Sequence, residues 1–455
     1  MAKRMQNFEM EKLGFDHGRA SGSAGKDIST ANSYPNQPRR SAKMGAKAAA
    51  AMALSVALSI CALVGQTIPG PKGQTSTQSA IEAPRGPLAP AVRSPEVHPD
   101  RTVTFRLRAP QASAVELVGE VLQGKPPQPM TKDSEGVWSI TIGPLPPEIW
   151  IYNFRIQGVD FSDPANIDLM PRSAGVVAVS SFVEVPGDKP AFYDARPVPH
   201  GQVRMILYES RTMGVYRYVW VYTPPDYDKT NKKNPVFYLL HGNGETQSGW
   251  VMNGRANIIL DNLIADRKAV PMIVVMPHGH PVQSASVGPF KAVQQPGLPG
   301  MLNFTFFTKE LLEEIIPMIE SNFGVYKDAD HRAIGGLSMG AFQSIQIGLA
   351  HPELFHYVLA YSGGFGGIGP EMPTEIETVS PWKELLANPE QTKKNLRLLF
   401  LGAGQQETSM LAPGKRLVKL FREKGINAVW ADFPGGHVFR VLRNHLNYTV
   451  PMLFR

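Results

Sequence analysis

Apolar and polar residues alternate along Thr102–Arg108, read Thr-Val-Thr-Phe-Arg-Leu-Arg. A period of two marks a strand with one face buried. Similar short segments follow at Ala114–Val118, Val137–Ile142, Trp150–Ile156 and Val176–Val185, with turn residues between them. That spacing predicts a small all-β, immunoglobulin-like sandwich. Beyond about residue 200 the pattern changes. Strand segments at Tyr216–Tyr222, Val236–Leu240, Met272–Met276, Tyr357–Tyr361, Arg397–Leu401 and Asn427–Asp432 interleave with helical stretches at Arg255–Asp266, Thr308–Phe323, Ala341–Ala350 and Gly414–Lys424. Alternation of this kind predicts an α/β domain, a mostly parallel sheet with helices on both faces. Pro317 should kink the helix that contains it.

The amino-terminal hundred residues fit neither pattern. Residues 1–43 are polar and scattered with Gly, Ser and Asn, as in a disordered segment. Ala48–Val64 is an uncharged apolar run preceded by Arg39, Arg40, Lys43 and Lys47. A positive flank before a short apolar stretch is the layout of a secretory signal, with an uncleaved membrane anchor as the alternative. Residues 67–98 carry six prolines and read as a stiff linker. The expected layout is therefore 1–66 leader with signal or anchor, 67–98 linker, 99–195 β-module and 196–455 α/β domain, in a protein secreted or periplasmic.

Composition changes this picture little. With 43% hydrophobic and 19% charged residues the chain can bury a substantial core. The net charge of +7 suggests nucleic acid at first. However, residues 1–66 hold nine Lys/Arg against four Asp/Glu, so the remainder is nearly neutral and the nucleic-acid reading falls. A single cysteine, Cys61, excludes a disulfide within the chain.

The chemistry gathers in the α/β domain. Gly336-Leu337-Ser338-Met339-Gly340 runs from a short apolar strand into a helix. A serine on so sharp a turn needs very small residues two before and two after it, which Gly336 and Gly340 supply. This pattern predicts the nucleophile elbow of an α/β-hydrolase fold, with Ser338 as candidate nucleophile and the Met339 N–H as an oxyanion donor; the alternative is a Gly-rich strand–helix turn with a capping serine. The expected chain order is Ser, acid, His. His437 lies in the loop Phe433-Pro-Gly-Gly-His-Val-Phe439 after the last strand, and His445, in an apparent helix, is the weaker alternative. Glu407 is the only carboxylate in the loop after Leu398–Leu401, with Asp432 in reserve as acid. His241-Gly-Asn-Gly-Glu245 follows Val236–Leu240 and should supply the second oxyanion donor, Asn243 first and Gly244 next. His241 reads as a structural hydrogen bonder. His278-Gly-His280 has no acidic partner at ligand spacing, so neither a metal nor another cofactor is expected. The long stretch Pro281–Gly300, with Phe290, should border an acyl pocket.

Together these motifs resemble carbohydrate esterase family 1, the feruloyl and acetyl-xylan esterases, and the related esterase D and enterochelin esterase group. The resemblance covers about 200–455. It rests on Arg217-Tyr-Val-Trp-Val-Tyr-Thr-Pro-Pro225, Tyr238-Leu-Leu-His-Gly-Asn-Gly244 with Trp250, Gly254-Arg-Ala-Asn257, Asp261-Asn-Leu-Ile-Ala265, Pro271–Pro277, the elbow, and Gly435-Gly-His437. It implies Ser338 and His437 in catalytic roles. The family acid follows a Gly-Thr-x-Asp-like turn, and here Ala403-Gly-Gln-Gln-Glu407 puts Glu in its place. The β-module resembles carbohydrate-binding module family 48 through Phe105–Pro110, Val115–Val118, Gly136-Val-Trp138, Tyr152-Asn-Phe154 and Asp163-Pro-Ala-Asn166. That resemblance implies sugar binding. The other reading makes Trp138, Tyr152 and Phe154 core residues of a module that only packs on its neighbour. The resemblance thus implies a secreted serine esterase acting on an acylated polysaccharide, with a membrane partner only if the leader stays uncleaved. The rival readings are an acyltransferase, siderophore esterase or peptidase on the same fold, and a non-catalytic polysaccharide binder.

Overall fold

The computed structural model describes residues 91–170, 179–280, 286–287, 304–365 and 375–455. The leader, Cys61, most of the linker, and the Pro281–Gly300 stretch apart from 286–287 lie outside the described residues.

Two antiparallel sheets form the β-module. One runs in the order Glu96–Val97, Val103–Arg108, Val137–Ile142, Thr131–Lys132. The other runs Gln128–Pro129, Glu116–Val118, Glu148–Ile156, Ser180–Val185, Leu169–Met170, with Val159–Phe161 also on Glu148–Ile156. Inward residues of both, among them Phe105, Leu117, Tyr152, Phe154 and Val183, share one core. The module begins earlier than the alternation suggests. Glu96–Val97 is a strand, and Ser94 Oγ donates to Asp163 at 2.6 Å, so the last residues assigned to the linker belong to the sandwich. Trp138, Tyr152 and Phe154 are buried in this core, and the Trp138 indole N–H and Tyr152 hydroxyl are satisfied by Ala109 O and Asp163. None of the three offers a ring face for a sugar.

The α/β domain is built on β1 (Gln202–Ser210), β2 (Val215–Thr223), β3 (Val236–Leu240), β4 (Ile273–Met276), β5 (Arg332–Leu337), β6 (Tyr357–Tyr361), β7 (Leu398–Gly404) and β8 (Ala428–Phe433). Their spatial order is β1-β2-β4-β3-β5-β6-β7-β8, and Ser286–Val287 also pairs with β2. β3 to β8 are parallel, while β1 and β2 are antiparallel additions at one edge. With helices on both faces this is the α/β-hydrolase arrangement. The central strands are apolar because both faces are covered, except for Arg332 at the start of β5, which is buried and paired with Glu320 at 2.6 Å.

One face packs on α1 (Ala256–Ala265) and α5 (Phe439–Thr449). The other packs on α2 (Thr305–Glu310) and its continuation, α3 (Met339–Ala350) and α4 (Thr408–Glu423). After α2 the chain widens into a π-turn over Leu311–Ile315 before Ile316–Asn322. Pro317 lies just after this widened turn and has no N–H to give the preceding carbonyls.

The β-module is fused to the first face. Ile149, Ile151, Met170 and Phe182 join the same apolar cluster as Trp250, Phe439 and Leu442. Arg443, fully buried, donates to Asn253 O at 2.6 Å, pairs with Glu148 of the module and stacks on Tyr193 at 4.8 Å. Removing one partner of a buried ion pair strands the other charge. Arg443→Met should therefore lower unfolding stability by about 3 kcal/mol. Urea titration of the full chain checks this, and the double variant Arg443→Met/Glu148→Gln should recover part of the loss.

Candidate active site

The elbow is held by steric exclusion. A β-carbon at Gly336 would sit 2.5 Å from Leu240 O, and one at Gly340 2.6 Å from Leu240 O and 2.7 Å from His241 O. The end of β3 therefore presses directly on the turn that follows β5. Ser338 takes φ 53° and ψ −112°, a strained conformation for a residue with a side chain, costing about 1–3 kcal/mol. Its N–H donates to Tyr361 O at 2.9 Å, which ties the apex to β6. Met339 opens α3, and the first N–H groups of a helix have no acceptor within it. The positive end of α3 thus lies at the serine.

Glu407 and His437 are brought together from the ends of β7 and β8. His437 Nδ1 is 2.8 Å from Glu407 Oε1. The other carboxylate oxygen accepts from Ser362 Oγ and the Gly404 N–H, both at 2.6 Å. Ser362 sits at φ 51° just past β6. A β-carbon on the next residue, Gly363, would meet Ser338 O at 2.8 Å. A continuous set of contacts therefore runs from Ser338 through Gly363 and Ser362 to Glu407 and His437. Burial pushes the Glu407 carboxyl up, but hydrogen bonds from His437, Ser362 and Gly404 more than offset it and hold the pKa below the usual value. The hydrogen bond to Glu407 raises His437 above its ordinary 6.5 against the opposing effect of burial. Asp432 is engaged elsewhere, by Lys415 Nζ at 2.6 Å and Trp430 Nε1 at 3.0 Å. His445 is buried between Tyr361 and Phe400 inside the domain, and burial pushes it down to about 4.

The loop after β3 is almost fully engaged. The Gly242 N–H donates to Glu245 Oε2 at 3.2 Å and the Gly244 N–H to His280 Nε2 at 3.2 Å. Gly244, expected as an alternative oxyanion donor, is thereby committed to an internal bond. Asn243 is exposed, and among the described residues nothing accepts from its N–H. The charge of Glu245 in this loop also helps, to a smaller degree, to raise His437. His241, His278 and His280 are buried together with ring centroids 5.2–5.3 Å apart. No group of three His, Cys, Asp or Glu among the described residues could hold a metal ion.

Sequence reasoning missed Ser362, Glu245 and the interplay of the three histidines. Tyr361-Ser-Gly-Gly364 after a strand is a signal that could have pointed to Ser362.

Fold and site define an α/β-hydrolase with an elbow serine. The family described as "Putative esterase" matches residues 210–453, and the chain belongs to it. Carbohydrate-binding module 48 matches 93–171. The endo-1,4-beta-xylanase/feruloyl esterase of Xylanibacter ruminicola is 33% identical over 70% of this chain and 40% of its own length. The iron(III) enterobactin esterase of Escherichia coli K12 is 24% identical over 61% of this chain and 63% of its own. The chain thus spans less than two thirds of both relatives. The enterobactin esterase structure from Shigella flexneri superposes with a TM-score of 0.55 at 19% identity, over 77% of this chain and 92% of that one, a likeness of fold.

Two outcomes follow from the geometry. Gly340→Ala should leave the elbow unable to form, with no ester turnover and a lowered melting temperature, because the obstructing atoms are backbone. The His437 ring should titrate above 6.5 by NMR, and Glu407→Gln should move its midpoint down.

Proposed function

We propose that this protein is a serine carboxylic ester hydrolase that removes acyl groups from plant polysaccharide, with Ser338 as nucleophile, His437 as general base and Glu407 as its acid partner. The observation that carries this reading is the 2.8 Å bond between His437 Nδ1 and Glu407, set at the strand ends beside the elbow. A carboxylate accepting the Nδ1–H leaves Nε2 as the basic nitrogen and favours the imidazolium that forms. His437 takes the Ser338 proton as the hydroxyl attacks the ester carbonyl. The Met339 and Asn243 N–H groups hold the oxyanion. The alcohol leaves with the proton from His437, and water then releases the acid from the acyl-enzyme by the same steps.

The substrate class is supported by the feruloyl esterase named among the relatives and by the match to a carbohydrate-binding module. The module's three candidate aromatics are core, so packing on the esterase domain is the role its residues support here. The proposal extends to export, supported by the positively flanked apolar run Ala48–Val64. An enterobactin esterase among the relatives keeps a siderophore ester as the second reading.

The test is a panel of methyl ferulate, acetylated xylan, a siderophore lactone and nitrophenyl acetate. Turnover of the first two, abolished by about 10⁶-fold in Ser338→Ala, is expected. Preference for the lactone would move the substrate class. Full activity in Ser338→Ala would overturn the mechanism.

A further inference from the structure

His241, His278 and His280 occupy the interior behind the loop that carries Asn243, and the esterase chemistry proposed above uses none of them. All three are buried. A buried imidazole that stays neutral has one nitrogen to donate and one to accept. His241 Nδ1 is 2.8 Å from Gly242 O, so it carries the proton and donates. Its Nε2 then accepts from the Gly279 N–H at 2.8 Å. His280 Nε2 accepts from the Gly244 N–H at 3.2 Å. The residues on either side of Asn243 are therefore each fixed by an imidazole, and the Gly242 N–H is fixed by Glu245. The Asn243 N–H is what remains.

The same network reaches the other half of the site. Gln343, fully buried on α3, donates to Gly279 O at 2.7 Å. α3 is the helix that starts at the elbow. A chain of contacts thus runs from the Met339 end of α3 through Gln343, Gly279 and His241 to Gly242. Arg217 of β2 donates to His280 O at 2.6 Å and pairs with Glu310 of α2 at 2.7 Å, and Glu310 also accepts from Tyr208 of β1 at 2.8 Å. That anchors the 278–280 turn to the sheet edge.

We propose that His241 and His280 are positioning residues that hold the Asn243 N–H at a set distance from the Met339 N–H, and that they do so only as neutral imidazoles. This rests on the reading of those two N–H groups as the oxyanion hole. A protonated ring would turn an N–H toward the N–H it now accepts. The surroundings oppose that proton. Burial, then the charge on Arg217, push His280 down to about 4. Burial, then His280, push His241 down to about 3. Among the described residues, the other charged or titratable groups at the cluster are His278, Glu245 and Glu310.

The experiment uses the full chain with nitrophenyl acetate, comparing wild type, His280→Ala and His280→Gln. Rates are expressed per site labelled by a fluorophosphonate, which corrects for misfolded protein. His280→Ala should lower kcat by about 10–100-fold, less than outright loss of a donor, with KM changed by less than about threefold. His280→Gln places an amide oxygen where Nε2 was and should restore kcat to within about threefold of wild type. In all three proteins the acidic limb should stay at the pKa of His437, since the cluster is neutral wherever that ring titrates. Wild-type kcat per labelled site in His280→Ala, or equal losses in the Ala and Gln variants, would overturn the inference while leaving the esterase reading intact. Absence of fluorophosphonate labelling at Ser338 in wild type would instead overturn the esterase reading, and this inference with it.

Discussion

The close approach of β3 to the turn after β5 governs this site. Leu240 O lies where a β-carbon of Gly336 or Gly340 would fall, within 2.5 and 2.6 Å. Only glycine lets the parallel neighbours β3 and β5 end in contact and still deliver a helix at once. From that contact follow the strained backbone of Ser338, the start of α3 at Met339 and the position of the His241–Glu245 loop directly above the elbow. Strain of this kind persists only where the surroundings over-determine it. Here β3 presses on the glycines that flank the serine, the Tyr361 carbonyl accepts from its N–H and Gly363 lies against its carbonyl.

Electrostatics divides the histidines by environment. His437 is half exposed and hydrogen-bonded to a carboxylate that itself receives two further donors, which raises its pKa. His241, His280 and His445 are buried, with no hydrogen bond to a carboxylate among the described residues, and burial lowers theirs. The ring suited to accept and return a proton near neutral pH is thus separated from rings suited to serve as fixed neutral acceptors. The β-module adds rigidity to the same region, because Arg443 and Phe439, on the helix that begins two residues after His437, are among its contacts.

Much of this was legible along the chain. Strands with long apolar runs, such as Val236–Leu240 and Tyr357–Tyr361, match their predicted bounds because burial on both faces leaves one pattern. β1 escaped notice: as an edge strand it exposes Met205 and Leu207, and its alternation is blurred. α4 starts at Thr408, earlier than its apolar period suggests, because Pro413 reads as a breaker and yet lies inside the helix. Glu407 could be named because only one carboxylate follows β7. Ser362 left a signal in its place just after a strand, but its pairing with Glu407, 45 residues on, did not, and the linkage of the buried imidazoles spans 38 residues from His241 to Gly279; both meet only through the sheet. The module's aromatics show the converse: alternating Trp, Tyr and Phe suit a sugar platform and a core equally, and only burial separates the two.

The central claim is that Ser338 carries the acyl group. Acid quench of the full chain during turnover of nitrophenyl acetate, followed by mass spectrometry of the peptide containing residues 332–341, tests it most directly. One acetyl group on Ser338 is the predicted result. Steady turnover with that peptide unmodified, or acetyl found on another residue that turns over at the catalytic rate, would contradict the account.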